Sequence, residues 1–246
     1  MGPEIIALIL LIIFVASLTR ATFGFGDALL AMPLLALVID LPTATPIVAL
    51  TSNVMAVLIL SRSWRSVSVK NAWRLTVASA LGVPLGLLLL KAEALHLPLK
   101  LTLAFVVAGF AAFKLLKPAL FTLKSDHWGW VFGFIAGTLG GAYNTNGPPA
   151  VIYGTLRRWS PETFKATLQG YFLPIGLIIS AGHGLSGLWT PDVLHTTLLS
   201  LPVVLLAFFI GQRLTTRLDP DRFERLILFI LIIMGALLAF QTLSKA

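Results

Sequence analysis

Residues 137–154, GTLGGAYNTNGPPAVIYG, interrupt a hydrophobic stretch with two asparagines, several glycines and two adjacent prolines. Pro148 and Pro149 suit the first turn of a helix, where a missing N–H costs nothing, and Asn146 is a favourable N-cap residue. The pattern predicts that one apolar segment ends near Tyr143 and that a separate half-helix begins a few residues later.

The composition indicates that lipid is the main solvent of this chain. Hydrophobic residues make up 57% of its 246 residues and charged residues 11%, and the mean hydropathy is +0.93, values typical of an integral membrane protein. The net charge of +8 is spread over loops between apolar segments, which indicates membrane topology and argues against nucleic-acid binding. The chain has no cysteine and its four histidines lack ligand spacing, so we expect no metal and no cofactor.

The apolar segments fall into long and short classes. There are ten, at about 5–19, 28–39, 43–61, 75–90, 98–116, 128–143, 148–156, 164–181, 193–211 and 226–243. Six of them meet or approach the roughly 17–25 residues that a helical membrane crossing needs. The other four form two consecutive pairs, each separated by a short polar break, and such breaks persist within a membrane only where protein or a watery cavity surrounds them.

The two breaks resemble one another. FVASLTRATFGFGDALLAMP, from Phe14, aligns with FIAGTLGGAYNTNGPPAVIY, from Phe134, at an offset of 120 residues. We therefore predict an all-α polytopic membrane protein of two repeats of about 120 residues, 1–122 and 123–246, that together form one membrane domain. Each repeat would contribute one broken-helix hairpin and three transmembrane helices.

Loop charge predicts that the repeats have inverted orientations. The loop SRSWRSVSVKNAWR of the first half is basic, whereas its counterpart GHGLSGLWTPD has no Lys or Arg; the next loop, KAEALHLP, is nearly neutral, whereas its counterpart QRLTTRLDPDRFER carries four arginines. By the positive-inside rule, corresponding loops then lie on opposite sides of the membrane. Both termini are expected outside the cytoplasm. Inverted repeats with paired broken helices are typical of secondary transporters, whereas a structural scaffold of kinked helices is the plainer alternative.

The break of the second half has the features of an anion site. Asn144, Thr145 and Asn146 offer neutral donors, Gly147 permits close approach of backbone to a ligand, and the positive end of the following half-helix points inward. Tyr143 completes this predicted set. The alternative is that the asparagines only cap the broken helix ends.

The corresponding break of the first half is charged. It carries Arg20 and Asp27, and charges at membrane depth are usually functional. Arg20 would neutralise a bound oxyanion, and Asp27, as N-cap of the next half-helix, would pair with Arg20 in the empty state and accept a proton when substrate competes. A purely structural ion pair, or an Arg20 that snorkels to the interface, is the alternative.

Further polar residues lie in the middle of two long segments. Asn53 and Gln169 are predicted to line the cavity, in preference to Thr51 and Ser52, because hydroxyl side chains in such helices commonly bond to their own backbone. His183 and His195 are expected in loops or at the membrane interface.

The motifs GFGDALLAMPLL and GGAYNTNGPPAVIYG, the latter followed by FKATLQGYF, resemble those of the sulfite exporter TauE/SafE family, also called the TSUP family of anion permeases. The resemblance extends from Phe14 to about Phe240. It implies a multi-pass transporter of the prokaryotic cytoplasmic (inner) membrane for sulfur-containing anions such as sulfite, sulfoacetate, related sulfonates or thiosulfate. Arg20 and Asp27 depart from the glycine-richer family pattern, which bears on the particular substrate.

We therefore expect a secondary transporter, permease or exporter, that binds its anion between the two breaks and works by alternating access. An anion channel or a carrier for small carboxylates is the alternative. A membrane enzyme is disfavoured because only Asp27 is a candidate acid or base at depth. The expected partners are the small sulfur-containing anion and the lipid bilayer, and the oligomeric state stays open.

Overall fold

The computed structural model describes residues 2–63, 69–116, 122–214 and 220–244. All regular structure in these ranges is helical, apart from turns and short connections, which confirms the all-α prediction. The helices are α1 (Pro3–Phe23), α2 (Asp27–Val38), α3 (Leu41–Ser63), α4 (Val69–Lys91), α5 (His96–Leu116), α6 (Trp128–Tyr143), α7 (Gly147–Leu156), α8 (Pro161–Leu185), α9 (Pro191–Leu214) and α10 (Pro220–Ser244), with one 3₁₀ turn at Glu93–Leu95. Residues 64–68 and 215–219 of the two basic loops lie outside the described ranges.

Helix length separates spanning helices from half-helices. Six helices in the described ranges are long and apolar enough to cross a membrane, namely α1, α3, α4, α5, α9 and α10, and α8 has a comparable 25 residues. In contrast, α2 has 12 residues and α7 has 10. At about 1.5 Å per residue they reach roughly 18 and 15 Å, well short of a hydrocarbon core of about 30 Å. The protein is therefore a multi-pass membrane protein.

The first helix is longer than the sequence indicates. The apolar pattern predicts a segment over 5–19, whereas α1 has 21 residues and continues through Arg20 to Phe23. Two polar residues near its end satisfy their hydroxyls within the helix, because Thr19 and Thr22 donate to the carbonyls of Val15 and Leu18 at 2.9 Å each. The first break therefore comprises only residues 24–26.

Helices of the first half of the chain pack against helices of the second half. The first helix of each broken pair lies on a long helix of the other half, α1 on α9 and α6 on α4, while α3 contacts α8 and α5 contacts α10. If each helix is replaced by its counterpart in the other half, α1 by α6, α3 by α8, α4 by α9 and α5 by α10, the same set of contacts results. The internal repeat and its inverted orientation are consistent with this pattern and stay predictions.

Small residues bring α4 and α6 into backbone contact. Gly133, Gly137 and Gly141 recur every four residues along α6 and face α4, and a Cβ placed on Gly137 would lie 2.0 Å from the carbonyl oxygen of Ser79. Ser79 also donates a hydrogen bond of 2.7 Å to the carbonyl of Gly133. Since apolar burial contributes little between helices in lipid, close van der Waals contact of this kind holds the pair together.

Candidate functional site between the two breaks

The first break turns the chain sharply between α1 and α2. Gly24 (φ 86°) and Gly26 (φ 100°) both adopt left-handed backbone, a conformation that side chains disfavour. The amide of Gly24 closes α1 by donating to the carbonyl of Arg20 at 2.7 Å. Gly26 then occupies the N-cap position of α2, so Asp27 is the first helical residue and not the predicted N-cap.

The second break uses asparagine in place of glycine. Asn144 takes the left-handed conformation (φ 53°) at the end of α6, and its amide donates to the carbonyl of Gly140 at 2.7 Å while the amide of Thr145 reaches Leu139 at 3.3 Å. Asn146 is at the N-cap position of α7, as the sequence predicts, but its side chain makes no capping hydrogen bond. Its amide group is therefore not consumed by the helix end.

The two breaks meet around one small cavity. The cavity lies between the N-terminal ends of α2 and α7, and α3 and α8 close its sides. Its lining residues are Arg20, Gly26, Asp27, Ala28, Leu29, Ser52, Asn53, Asn144, Thr145, Asn146, Gly147, Phe172 and Gly176. Its volume is about 30 Å³, and one water needs roughly 10–15 Å³ on the same measure. The cavity thus fits a compact group, and a bulkier ligand would require it to widen.

Arg20 supplies a buried positive charge with unused donors. Its side chain is 5% exposed, and Nη1 donates to Oδ2 of Asp27 at 2.7 Å. The Nε and Nη2 atoms are buried without a hydrogen-bond partner, and the guanidinium carbon lies 5.3 Å from the centre of the Phe172 ring. Buried donors of a charged group are costly to leave unsatisfied, so this geometry favours an added acceptor.

The field of the surrounding backbone also favours an anion. The two helix N-termini direct partial positive charge toward the cavity, and the first amides of α2 have no partner within their own helix. The prolines at 148 and 149 remove two such amides from α7, so the side chains of Asn144 and Asn146 are the main neutral donors on that side. The charges of Arg20 and Asp27 cancel, so the partial charges of the helix ends determine the sign of the electrostatic potential in the cavity.

A hydrogen-bonded chain joins the breaks through α3. The hydroxyl of Ser52 donates to Oδ2 of Asp27 at 2.6 Å, and Nδ2 of Asn144 donates to Oγ of Ser52 at 3.3 Å. The order Arg20–Asp27–Ser52–Asn144 therefore connects the first break to the second. The sequence favours Asn53 and Gln169 over Ser52 as cavity residues, because serine in a membrane helix commonly bonds to its own backbone.

The other predicted residues separate into those at the cavity and those away from it. Asn53 lines the cavity, but its Nδ2 donates to the carbonyl of Gly176 at 3.1 Å and to the hydroxyl of Ser180 at 2.8 Å, so it joins α3 to α8. Thr145 also lines the cavity and returns its hydroxyl to the carbonyl of Tyr143 at 3.0 Å. Gly147 borders the cavity at the start of α7.

Gln169 and Tyr143 lie outside the cavity lining. Gln169 is buried on α8, its Nε2 donates to the carbonyl of Gly24, and its Oε1 has no partner. Gln169 therefore holds the backbone of the first break through Gly24 and does not line the cavity. Tyr143 is buried beside a separate apolar cleft between α4, α5 and α6 that also contains Thr102.

One histidine differs from the prediction. His183 was expected in a loop or at the interface, but α8 continues to Leu185 and the ring is fully buried, with Nε2 3.3 Å from the carbonyl of Gly141. The apolar count stops at residue 181 because glycine and histidine follow, whereas the packing of α8 against α6 extends the helix by one turn. His195 is exposed on α9.

Within the described ranges, no three residues of the His, Cys, Asp and Glu types come together as a metal site would require. The acidic side chain at the cavity is Asp27, and its described partners are Arg20 and Ser52. This arrangement can bind an anion through hydrogen bonds and charge.

Broken helices that meet at a polar cavity within a multi-pass helical membrane protein define the class of a membrane transporter. The chain belongs to the sulfite exporter TauE/SafE family, whose model matches residues 9–238. Members of this family are anion transporters and not enzymes, and the same holds for this protein.

A curated relative supports the same assignment. The chain is 26% identical over 181 residues to a protein of Cupriavidus necator described as a probable sulfite/organosulfonate exporter TauE, a match that covers 70% of each chain. No solved structure matches the chain significantly.

Proposed function

We propose that the protein is a secondary transporter of small sulfur-containing oxyanions, sulfite or an organosulfonate, in a prokaryotic inner membrane. The observation that carries this proposal is the Arg20 guanidinium, which is buried at the cavity with Nε and Nη2 unpaired. A planar fork of two N–H groups matches two oxygens of a sulfo group. Asn144, Asn146 and the amides of α2 would receive the remaining oxygen.

The cavity volume agrees with a compact anion. About 30 Å³ leaves room for a small head group and little else, which favours sulfite or the sulfo end of a larger molecule. The name of the relative from Cupriavidus necator points to the same two ligand types. A moderate affinity suffices, because the anion must also leave on the far side.

Alternating access would move the two halves around this cavity. The contact pattern, in which α1 packs on α9 as α6 packs on α4, supports a pair of related bodies that exchange inward- and outward-open arrangements. In this scheme both termini lie outside the cytoplasm. Asp27 pairs with Arg20 in the empty state, and it accepts a proton when the anion takes its place on the guanidinium.

Uptake into proteoliposomes tests the site and the substrate class. Arg20→Gln should reduce saturable uptake of sulfite and sulfoacetate by about 100-fold or more, because two charge-assisted hydrogen bonds of roughly 1.5–3 kcal/mol each are lost. Arg20→Lys should be intermediate, because an ammonium keeps the charge and loses the fork. The control is Arg158→Gln, which removes the same charge from an exposed position at the end of α7.

Two results would contradict the proposal. Wild-type uptake rates in Arg20→Gln would overturn the site assignment. Uptake of acetate or another small carboxylate by the wild type, with neither sulfur anion transported or able to compete, would overturn the substrate class.

A further inference from the structure

Ser52 makes the hydrogen bonds that join the two breaks. It lies in the middle of α3 and is 8% exposed. Its hydroxyl contacts Asp27 at 2.6 Å and Asn144 at 3.3 Å, residues 25 and 92 positions away along the chain. The position of Ser52 therefore fixes a residue of the first break relative to a residue of the second.

The direction of this chain follows from the chemistry of its members. An ionised Asp27 only accepts hydrogen bonds, so the single hydroxyl hydrogen of Ser52 must point to it. The oxygen of Ser52 is then left as an acceptor, and Asn144 must present its NH₂ group and not its carbonyl oxygen. Ser52 thereby fixes the orientation of the Asn144 side chain, with its NH₂ group toward Ser52.

The two donors at the ends of the chain, Arg20 and Asn144, keep hydrogens free for a ligand. Arg20 uses Nη1 for Asp27 and retains Nε and Nη2. Asn144 uses one of its two amide hydrogens for Ser52. The network can therefore receive an anion on these free hydrogens without first breaking, which is the property of a preorganised site. Asp27 gives up the guanidinium only in the later protonation step.

We propose that Ser52 is a positioning residue for the transported anion, which it does not contact: it holds Asn144 and the Arg20–Asp27 pair in the orientation that receives a sulfur oxyanion. This inference rests on the proposed function. Removing the hydroxyl leaves the Asn144 amide free to rotate and leaves Asp27 with one donor fewer. The anion then has to order these groups itself, so its affinity falls.

The neighbouring Thr51 provides a matched control. It is buried on the same helix, and among the described residues its hydroxyl bonds to carbonyls of its own helix, Ile47 at 2.8 Å and Val48 at 3.1 Å. Thr51→Val therefore removes a buried hydroxyl from α3 without touching either break.

The experiment measures half-saturation and maximal rate of sulfite and sulfoacetate uptake in proteoliposomes. Ser52→Ala should raise the half-saturating concentration about ten-fold, the equivalent of one hydrogen bond to a charged partner, and change the maximal rate much less. Ser52→Thr, which keeps a hydroxyl, should restore most of the affinity. Combining Ser52→Ala with Asn144→Ala should raise half-saturation by less than the product of the single effects, because both changes disrupt one interaction.

Other outcomes would overturn the inference. Wild-type half-saturation in Ser52→Ala would do so, as would a fall confined to the maximal rate, multiplicative effects in the double variant, or an equal loss in Thr51→Val. Failure of Ser52→Thr to recover affinity would do the same if Ser52→Ala is folded by size-exclusion chromatography. If the wild type transports neither anion, the proposed function is wrong and this inference is wrong with it. If the wild type transports them and Arg20→Gln does not, the proposed function stands, and an unchanged Ser52→Ala then contradicts only the role of Ser52.

Discussion

Two opposite charges meet inside the membrane domain at the start of α2. A lone charged residue at the centre of a membrane helix costs roughly 2.5–3.5 kcal/mol, and the 2.7 Å contact between Arg20 and Asp27 offsets part of this cost for both. The part of the cost that remains falls on Arg20, because its Nε and Nη2 atoms have no hydrogen-bond acceptor. A bound anion would supply an acceptor to these two atoms, and its negative charge would then compete with that of Asp27 for the same guanidinium.

This competition predicts a separable effect of Asp27→Asn. The neutral amide cannot take up a proton during the cycle, so accumulation of sulfite driven by a pH gradient should be abolished. Exchange of internal for external sulfite should continue, because Arg20 remains. Both are measured in proteoliposomes, with Asp40→Asn as the control, since Asp40 accepts from Thr43 at the start of α3 and is exposed. Gradient-driven accumulation that survives in Asp27→Asn would exclude Asp27 as the coupling residue.

The sequence brings most of the cavity residues into view, and its failures have physical causes. Arg20, Asp27, Asn144 and Asn146 stand out because charged and amide groups are costly in lipid, and the alignment of the two breaks predicts that they meet. Ser52 escapes notice because nothing in one sequence distinguishes it from Thr51, which bonds to its own helix. Tyr143 was expected at the site and lies at another cleft. The sequence places the end of α6 correctly but does not show to which side the last side chain points, and each residue step turns a side chain by about 100°.

At the scale of elements, the α4–α6 contact depends on the absence of side chains. Gly137→Ala would place a methyl group 2.0 Å from the carbonyl oxygen of Ser79, so the helices must separate, at a cost of roughly 1–3 kcal/mol. We expect a lower melting temperature of the detergent-purified protein. Gly109→Ala on α5 meets nothing within 4 Å and should be neutral or stabilising by up to about 1 kcal/mol. Equal melting temperatures for the two variants would argue against close backbone packing.

Helix ends were the least predictable feature of the elements. Apolar counting finds the ten α-helices of the described ranges in the correct order, yet α1 and α8 each extend past the predicted end. In α1 the hydroxyls of Thr19 and Thr22 donate to carbonyls of their own helix, Val15 and Leu18. In α8 the ring of His183 instead meets the carbonyl of Gly141 on α6. The partner of His183 comes from the packed protein, which the local sequence does not show.

At the scale of the whole molecule, the inverted orientation of the repeats is open to a direct test. The chain contains no cysteine, so single cysteines can be labelled without a background. Glu93 in the α4–α5 connection and Leu185 at the end of α8 are both exposed, and Ser125 lies in the exposed connection between the halves.

Inverted repeats predict that Glu93→Cys and Leu185→Cys react with a membrane-impermeant thiol reagent from the outside, and that Ser125→Cys reacts only from the cytoplasmic side. The measurement uses sealed vesicles of both orientations. Repeats in the same orientation would instead place Glu93→Cys and Leu185→Cys on opposite sides. Leu185 lies at the α8–α9 connection, which would then be on the same side as its counterpart α3–α4, whereas Glu93 lies in the α4–α5 connection at the other side.

The exchange of packing partners between the halves also constrains biogenesis. As the chain leaves the ribosome, α6 finds α4 already in the membrane, but α1 ends at Phe23 while its partner α9 begins only at Pro191. The face of α1 that α9 covers must therefore contact lipid or the insertion machinery until most of the protein has been made, although α2 and α3 pack against other parts of α1 earlier. During that interval the contact between Arg20 and Asp27 neutralises the two charges within the first broken pair of helices. Synthesis that stops before α9 should leave a chain whose first helix remains open to quality-control proteases.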